Sequence, residues 1–563
     1  MAVLGYAISG FLMLQRRTLF GSGSRAAPQS RITILAVDPA AGFVSNKAPT
    51  DLQPGETPSS KNFLMVDDGL KPRPGLSPLG TVTANPMEVA VTGGHETSTI
   101  TGMFLPIVSG TTRVAWFDGT DWTVAVYEAT NDGGVGAHDD PPTGGTTDYW
   151  DMTQIYDADT DEQLTVMGVG SYQTLYCWQA KATTFSSMTD APRAKYVTAF
   201  DNFLIAFNMF ASGVTAPQRV AWSDRGSNFT WTPGNHLGGF EDLLDMRGQG
   251  TRIISDEAQL TLFSEDEIWN GQRAEFPFVF RFFPRDRTKG CPYPWTVVPT
   301  AAGTIFLASD FHPYLLPRGG GQAQKIGESV RPFIRDGIDL PSLSWAAVHE
   351  QENQYMLYYP AQGGNGLPNK AVYLNMNTGA WAPQEHASSQ SLSRGFPVRV
   401  KSDTTTWAEM TTAGVTWDQL DQTWSQLHGL DTPVRTVGVG AGSGTVYQLS
   451  SDASTDDGVQ IDTRWQSGAL AGTLPQHHKV LSRIRMNYAG TSTSTLTFKA
   501  SSNAGGTFDS TQGVRLQQVP GQIKAAVADV YSTGNYPVFE VEGVGGSYKI
   551  TGFQAEMRVD GAE

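Results

Sequence analysis

Acidic side chains crowd one short stretch of the chain, with Asp256, Glu257, Glu265, Asp266 and Glu267 close together. Paired carboxylates are the machinery of glycoside hydrolysis, which needs two of them facing each other about 5 to 10 Å apart. In a chain of formal charge −16, acidic turns account for such a run equally well. His477 and His478 are adjacent, and neighbours on a strand point to opposite faces, so a shared metal is not expected. The run Arg285-Asp286-Arg287 reads as an ion-pair cluster between subunits. Cys177 and Cys291 are the only cysteines, with no C-x-x-C spacing, and are expected as buried free thiols. The chain has no G-x-S-x-G elbow, no H-E-x-x-H pair, no Walker loop and no G-x-G-x-x-G before a helix. No catalytic residue, metal or cofactor is assigned, and the expectation is a protein that is not an enzyme.

The elements that carry these residues are set by composition. The 563 residues include 61 glycines, more than the 39 lysines and arginines together, and only 17% are charged. Such a chain is neither disordered nor a long helical protein. Short strands punctuated by Gly, Pro, Asn and Asp turns remain. The acidic balance, with a pI near 5.0, excludes a protein that grips nucleic acid through clustered lysines and arginines. It leaves room for one that DNA slides past. Residues Met1 to Leu14 are apolar and are followed by Arg16-Arg17; the charge comes after the apolar run, unlike a secretion signal, and the run is too short to span a bilayer. It is expected as an over-called start or as a helix docking on a neighbouring subunit, with no membrane anchor.

From Val89 onward, apolar runs with period-two alternation recur. Their interval of roughly 45 to 60 residues is that of four-stranded propeller blades. Three turns fit this architecture. Asp224 and Gly226 precede Trp231; Asn377 and Gly379 precede Trp381; Asn503 and Gly505 precede Phe508. In each, Asp or Asn caps the turn, Gly supplies positive φ, and the aromatic is expected as a core anchor beneath the hairpin. Ser329 to Ile338 and Thr416 to Leu427 are the only stretches that suit helical turns, and Trp407, Trp417 and Trp424 form a small W-x-x-L/M repeat. The fold class is all-β: a propeller of about six blades with an extended N-terminal arm and a C-terminal β-sandwich or jelly-roll-like domain. The expected divisions are an arm over 1–30, an extended segment with a propeller-closing strand over 31–88, the propeller over 89–452 and the sandwich over 457–563. Arg483, Arg485 and Arg558 are expected to point outward on the sandwich strands.

The segment Asn46 to Gly75, with Asn62, Gly69-Leu70 and Arg73-Pro74-Gly75, resembles the opening of tail hub, or nozzle, proteins of short-tailed bacteriophages, including packaged-DNA stabilisation proteins. Asp310-Phe311-His312 departs from it, where an Asp-Gly turn is expected. The resemblance implies a structural virion protein of the phage tail, assembled in the host cytoplasm. It implies a homo-oligomer, a hexameric ring, below the portal and adaptor, whose lumen extends the DNA-ejection channel and helps close it. The implied partners are the portal-adaptor protein, a tail fibre, spike or needle protein, and exiting DNA in transient contact. Two other readings stay open: a propeller glycan-binding or glycosidase protein, and a receptor-binding tail component acting through the C-terminal domain.

Overall fold

The computed structural model describes residues 32–81, strands at 95–97, 102–109, 111–117 and 122–126, most of 151–399, and, with short breaks, 434–560. Residues 1–14, Glu257 and the tryptophan repeat at 404–427 lie outside the described residues.

Among the described residues the strands from 95 to 450 fall into seven consecutive antiparallel sheets. Blades 1 to 6 cover 95–126, 151–187, 193–242, 250–286, 298–325 and 345–385, each a four-stranded meander. Blade 7 is built from Leu392–Arg399, Val434–Gly440 and Thr445–Ser450, and its fourth strand is Gly75–Thr81 from the other end of the chain. First strands of neighbouring blades pack on one another, and the first strand of blade 7 returns to that of blade 1. Between blades 4 and 6 the short turn Pro294–Thr296 takes part in this contact. The ring is therefore closed and the protein is a β-propeller. Spacing along the sequence counted about six blades, because the seventh borrows a strand from far upstream.

The hydrophobic clusters of the propeller lie between neighbouring blades. Phe203, Phe207 and Trp222 of blade 3 meet Leu260, Trp269 and Phe280 of blade 4. Ile305 and Leu307 of blade 5 meet Tyr355, Leu357 and Trp381 of blade 6. Blade strands such as Gln354–Pro360 are consequently buried on both faces, and they read as apolar runs rather than clean alternation. Each large side chain so buried contributes roughly 1.5–3 kcal/mol. The one α-helix among the described residues is Arg331–Gly337, within the stretch expected to be helical. No helix of the described residues is long and apolar enough to cross a membrane.

The C-terminal module is a sandwich of a seven-stranded and a five-stranded sheet. Its core holds Trp465, Leu481, Ile484, Phe498, Phe539 and Phe553, with Phe63, Met65 and Leu70 from the N-terminal segment. Ile32–Val37, Phe63–Val66 and Gly69–Pro72 are strands of the larger sheet, and Ser60–Lys61 joins the smaller one. Residues 32–81 are thus woven into the sandwich as well as closing the propeller. Its prolines separate short strands that switch sheets. Arg483, Arg485 and Arg558 are exposed on the outer face of the larger sheet.

Candidate functional site

The sequence Arg73-Pro74-Gly75 sits where the chain leaves the sandwich and enters blade 7. Arg73 is fully buried, and all five of its N–H groups are used. Nε donates to Asn62 Oδ1 at 3.1 Å. Nη1 donates to the Pro74 carbonyl at 3.1 Å and to Asp456 Oδ1 at 2.8 Å, while Nη2 donates to the Glu385 carbonyl at 3.2 Å and to Asp456 Oδ2. Asn62 adopts a left-handed backbone with φ 58°, which asparagine tolerates. Its Oδ1 also accepts from the Glu385 N–H, and its Nδ2 donates to the Asp462 carbonyl. Two of the turn residues singled out in the sequence therefore meet directly and tie blade 6 to the sandwich. Gly75 is required by close approach: a Cβ would collide with the carbonyl oxygens of Thr455 and Ala453.

A polar chain runs inward from this point. His386 Nδ1 lies 3.1 Å from Asp456 Oδ2, and His386 Nε2 lies 3.1 Å from the Tyr358 hydroxyl. The carboxylate can only accept, which places the proton on Nδ1 and makes Nε2 an acceptor from Tyr358. The Tyr373 hydroxyl completes the chain by donating to that of Tyr358. Burial alone would raise the Asp456 pKa, but the hydrogen bonds from Arg73 and His386 hold it well below the usual carboxylate range. Burial, reinforced by the Arg73 charge, lowers the His386 pKa and keeps the ring neutral. Burial also pushes the Tyr373 hydroxyl up to about 12. Neither His386 nor Asp456 carries a sequence signal, since each is defined only by partners far away in the chain. The network fastens structure: its donors and acceptors are occupied by one another.

The three aromatic turns divide. Asp224 Oδ1 accepts from the Arg225 N–H at 2.8 Å, Gly226 has φ 81°, and Trp231 is 7% exposed in the core between blades 2 and 3. At the second turn Asn375, rather than Asn377, does the capping: its Oδ1 accepts from the N–H groups of Asn377 and Thr378. Asn377 reaches across to Asp67, Gly379 has φ 77°, and buried Trp381 donates from Nε1 to the Ile326 carbonyl at 3.0 Å. At the third, Asn503 Oδ1 accepts from the Thr507 N–H at 2.9 Å and Gly505 has φ 92°. Phe508, however, is 37% exposed beside Lys499 and anchors no core. That turn belongs to the sandwich, whose edge strand Ser510–Arg515 offers no neighbouring blade to receive the ring.

The acidic stretch serves turns and ion pairs. Asp256 Oδ1 accepts from the Ala258 and Gln259 N–H groups; Glu265 accepts from the Gln249 N–H. Glu267 is buried and holds Trp269 Nε1 and Arg247. Asp286 accepts from Thr288 and from the Ala323 N–H, while Arg285 donates to the carbonyls of Pro317 and Gly321. Within the chain, Arg285 and Asp286 of the Arg285-Asp286-Arg287 run are held by these bonds, and Arg287 is exposed. Neither cysteine forms a disulfide, but only Cys291 is fully buried, its thiol pushed up to about 12 by burial; Cys177 is half-buried. Among the described residues no group of His, Cys, Asp and Glu is placed to hold a metal ion. At the Asp310-Phe311-His312 departure, Asp310 Oδ1 accepts from the His312 N–H, and Phe311 takes the positive φ of 57° that glycine would supply.

Side chains from five blades converge on the propeller axis. Trp295, entering blade 5, lies under two guanidinium groups, Arg394 of blade 7 at 4.0 Å and Arg252 of blade 4 at 4.5 Å. Tyr196 of blade 3 approaches the same indole at 6.4 Å between ring centroids. Asp151 of blade 2 accepts from Arg252 at 2.7 Å and from the Val197 N–H at 3.1 Å. Burial raises the Asp151 pKa against the pull of Arg252.

No family model matches the chain, and no curated protein matches it. Among solved structures, it is similar to the Cps50 (Swd1) β-propeller domain of Myceliophteria thermophila, at 8% identity and TM-score 0.36, over 66% of this chain and 98% of that one. It is similar to YCF48 from Cyanidioschyzon merolae, at 8% identity and TM-score 0.36, over 67% and 100%. A puromycin-hydrolyzing peptidase of Mycobacterium tuberculosis follows at 10% identity and TM-score 0.34, over 67% and 56%. The fold assignment rests on the sheet order and the closed ring of blade contacts.

Proposed function

We propose that this protein is a structural component of a short-tailed phage tail, a hub or nozzle subunit that assembles as a ring below the portal and adaptor. One observation carries the reading. Asn62 and Arg73, two residues through which the N-terminal segment resembles that family, bond to each other at the buried junction of propeller and sandwich. A subunit that must keep two modules in fixed relation under load benefits from such a junction. In this reading the DNA path is the lumen between subunits, while Trp295, Arg252 and Arg394 pack together among each propeller's inner strands. The chain's charge of −16 suits a wall that repels the duplex. Adaptor, fibre or needle proteins, virion location and six-fold stoichiometry belong to the same proposal.

The test is assembly. The purified chain is expected to form particles of about six times 60.8 kDa by light scattering, and to bind adaptor-bearing capsids that lack it. A strictly monomeric chain that does not bind such capsids would overturn the reading.

A further inference from the structure

Among the described residues, the outermost strand of blade 3, Gly239–Asp242, pairs on one side only, with Val214–Trp222. Among the described residues the outward backbone groups of Phe240 and the Asp242 N–H face the position of a further strand, while the Asp242 carbonyl accepts from the Leu244 N–H. Three apolar side chains on it and beside it are exposed, Phe240 at 52%, Leu244 at 81% and Leu237 at 41%. Acidic groups rim them. Asp242 is held by Arg219, which also stacks over Phe240, while Glu241 and Asp245 are exposed. Soluble sheets usually blunt such an edge with lysine, proline or a bulge. Here the strand is Gly-Phe-Glu-Asp, apolar and acidic, which calls for an apolar and basic partner.

The chain contains one. Residues 1–31 carry four arginines, Arg16, Arg17, Arg25 and Arg31, and no acidic residue, together with the apolar run from Met1 to Leu14. The whole chain is at −16, so the remainder stands at −20. The segment enters the fold at Ile32, on the sandwich, which is seated against blade 6. Blade 3 lies three blades further round the ring, on the opposite flank of the propeller. An arm leaving one flank for an acceptor on the other is the geometry of head-to-tail contact, which closes into rings. Seventeen residues separate Leu14 from Ile32, a reach of about 55 Å when extended.

We infer that the edge of blade 3 around Phe240, Glu241, Leu244 and Asp245 is the docking surface for residues 1–31 of a neighbouring copy of this chain. The apolar run covers Phe240 and Leu244, and Arg16 and Arg17 meet Glu241 and Asp245. This rests on the ring reading and names the contact that joins its subunits.

The experiment uses the full chain in three variants: Arg16→Glu with Arg17→Glu, Glu241→Arg with Asp245→Arg, and all four together. Amide hydrogen exchange over Gly239–Met246 is read beside the oligomer mass. The unaltered chain is expected to protect the outward amides of this stretch. Each pair of reversals should speed their exchange at least tenfold, and the fourfold variant should restore protection, which misfolding could not do. Free exchange in the unaltered ring, or no restoration in the fourfold variant, overturns the docking surface while leaving the ring standing. A monomeric unaltered chain overturns the ring reading itself. Protection that appears only on adding anionic vesicles or duplex DNA assigns the basic arm to those partners and likewise overturns the proposal.

Discussion

Arg73 and Asp456 lie 383 residues apart in sequence and meet in two parallel hydrogen bonds closed to solvent, Nη1 to Oδ1 at 2.8 Å and Nη2 to Oδ2. The pair joins the link between sandwich and propeller to Thr455–Asp456, a short strand that pairs with Gly75–Thr81 in the sheet of blade 7. Removing one partner strands a buried charge, so Arg73→Met and Asp456→Leu should each cost about 3–5 kcal/mol in denaturant unfolding. The double substitution should cost much less than the sum, because it leaves no uncompensated charge. Arg73→Lys should not rescue, since a point charge cannot serve Asn62, Pro74, Glu385 and Asp456 together. Single variants within 1 kcal/mol of the parent would count against a closed junction.

The same junction sets a pH dependence. His386 and Asp456 both have folded pKa values below their unfolded ones, the first lowered by burial and by Arg73, the second lowered against burial by its hydrogen bonds. In each case the folded chain binds fewer protons, so stability falls on acidification. The His386 contribution is complete above about pH 6.5 and the Asp456 contribution above about pH 3.9, their unfolded values; each is lost as pH falls through the folded value. Melting temperature should therefore decline from about pH 6.5 downward. His386→Gln should flatten the upper part of that decline and leave the steeper loss below about pH 4. A melting profile indifferent to His386 between those limits would show that the ring is not held neutral.

How much of this could be read beforehand follows from where the partners lie. Turn chemistry is local, so Gly226, Gly379 and Gly505 are legible and all three take positive φ. The fate of the next aromatic is not local: Trp231 and Trp381 meet a neighbouring blade, and Phe508 meets Lys499 and solvent. Arg73 stands out in sequence, but its partners Asp456 and His386 do not, because long-range pairing leaves no spacing to detect. The capping role shifts from Asn377 to Asn375 by two residues, within a run where either asparagine fits the pattern. The strand Gly75–Thr81 belongs to a blade completed more than 300 residues later, which hides the seventh repeat from interval counting.

The division among the aromatic turns can be measured. Trp231→Ala opens a cavity between blades 2 and 3 and should cost about 3–5 kcal/mol. Phe508→Ala removes a half-exposed ring and should stay within about 0.5 kcal/mol of the parent. Equal losses in thermal unfolding would mean that Phe508 does anchor a core.

Two glycines separate close approach from backbone conformation. At Gly379 φ is 77° and a Cβ would meet nothing within 4 Å, so Gly379→Ala carries only left-handed strain, about 1–2 kcal/mol. At Gly75 φ is not in that region, yet a Cβ would run into two backbone carbonyls. Backbone cannot swing aside as a side chain can, so Gly75→Ala should cost at least about 3 kcal/mol, the upper range for overpacking. It should also loosen the closing strand, seen as faster amide exchange at Leu76–Thr81 than in Gly379→Ala. Similar exchange in the two variants would place the closure of blade 7 elsewhere.

Phe311 sets backbone strain against ring packing at one residue. Its φ of 57° is costly for a side chain with a Cβ, about 1–2 kcal/mol, while its ring stacks on Tyr293 at 6.0 Å with an interplanar angle of 18°. Such a pair contributes about 0.5–1.5 kcal/mol beyond the area it buries. Phe311→Ala loses the ring and keeps the strain. Phe311→Gly loses the ring and relieves the strain, restoring the Asp-Gly turn that Asp310 already caps. The glycine variant should therefore be more stable than the alanine variant by about 1 kcal/mol, against the usual order of the two residues. If alanine proves the more stable in denaturant unfolding, the backbone at Phe311 is not strained and the stacked ring alone explains its place.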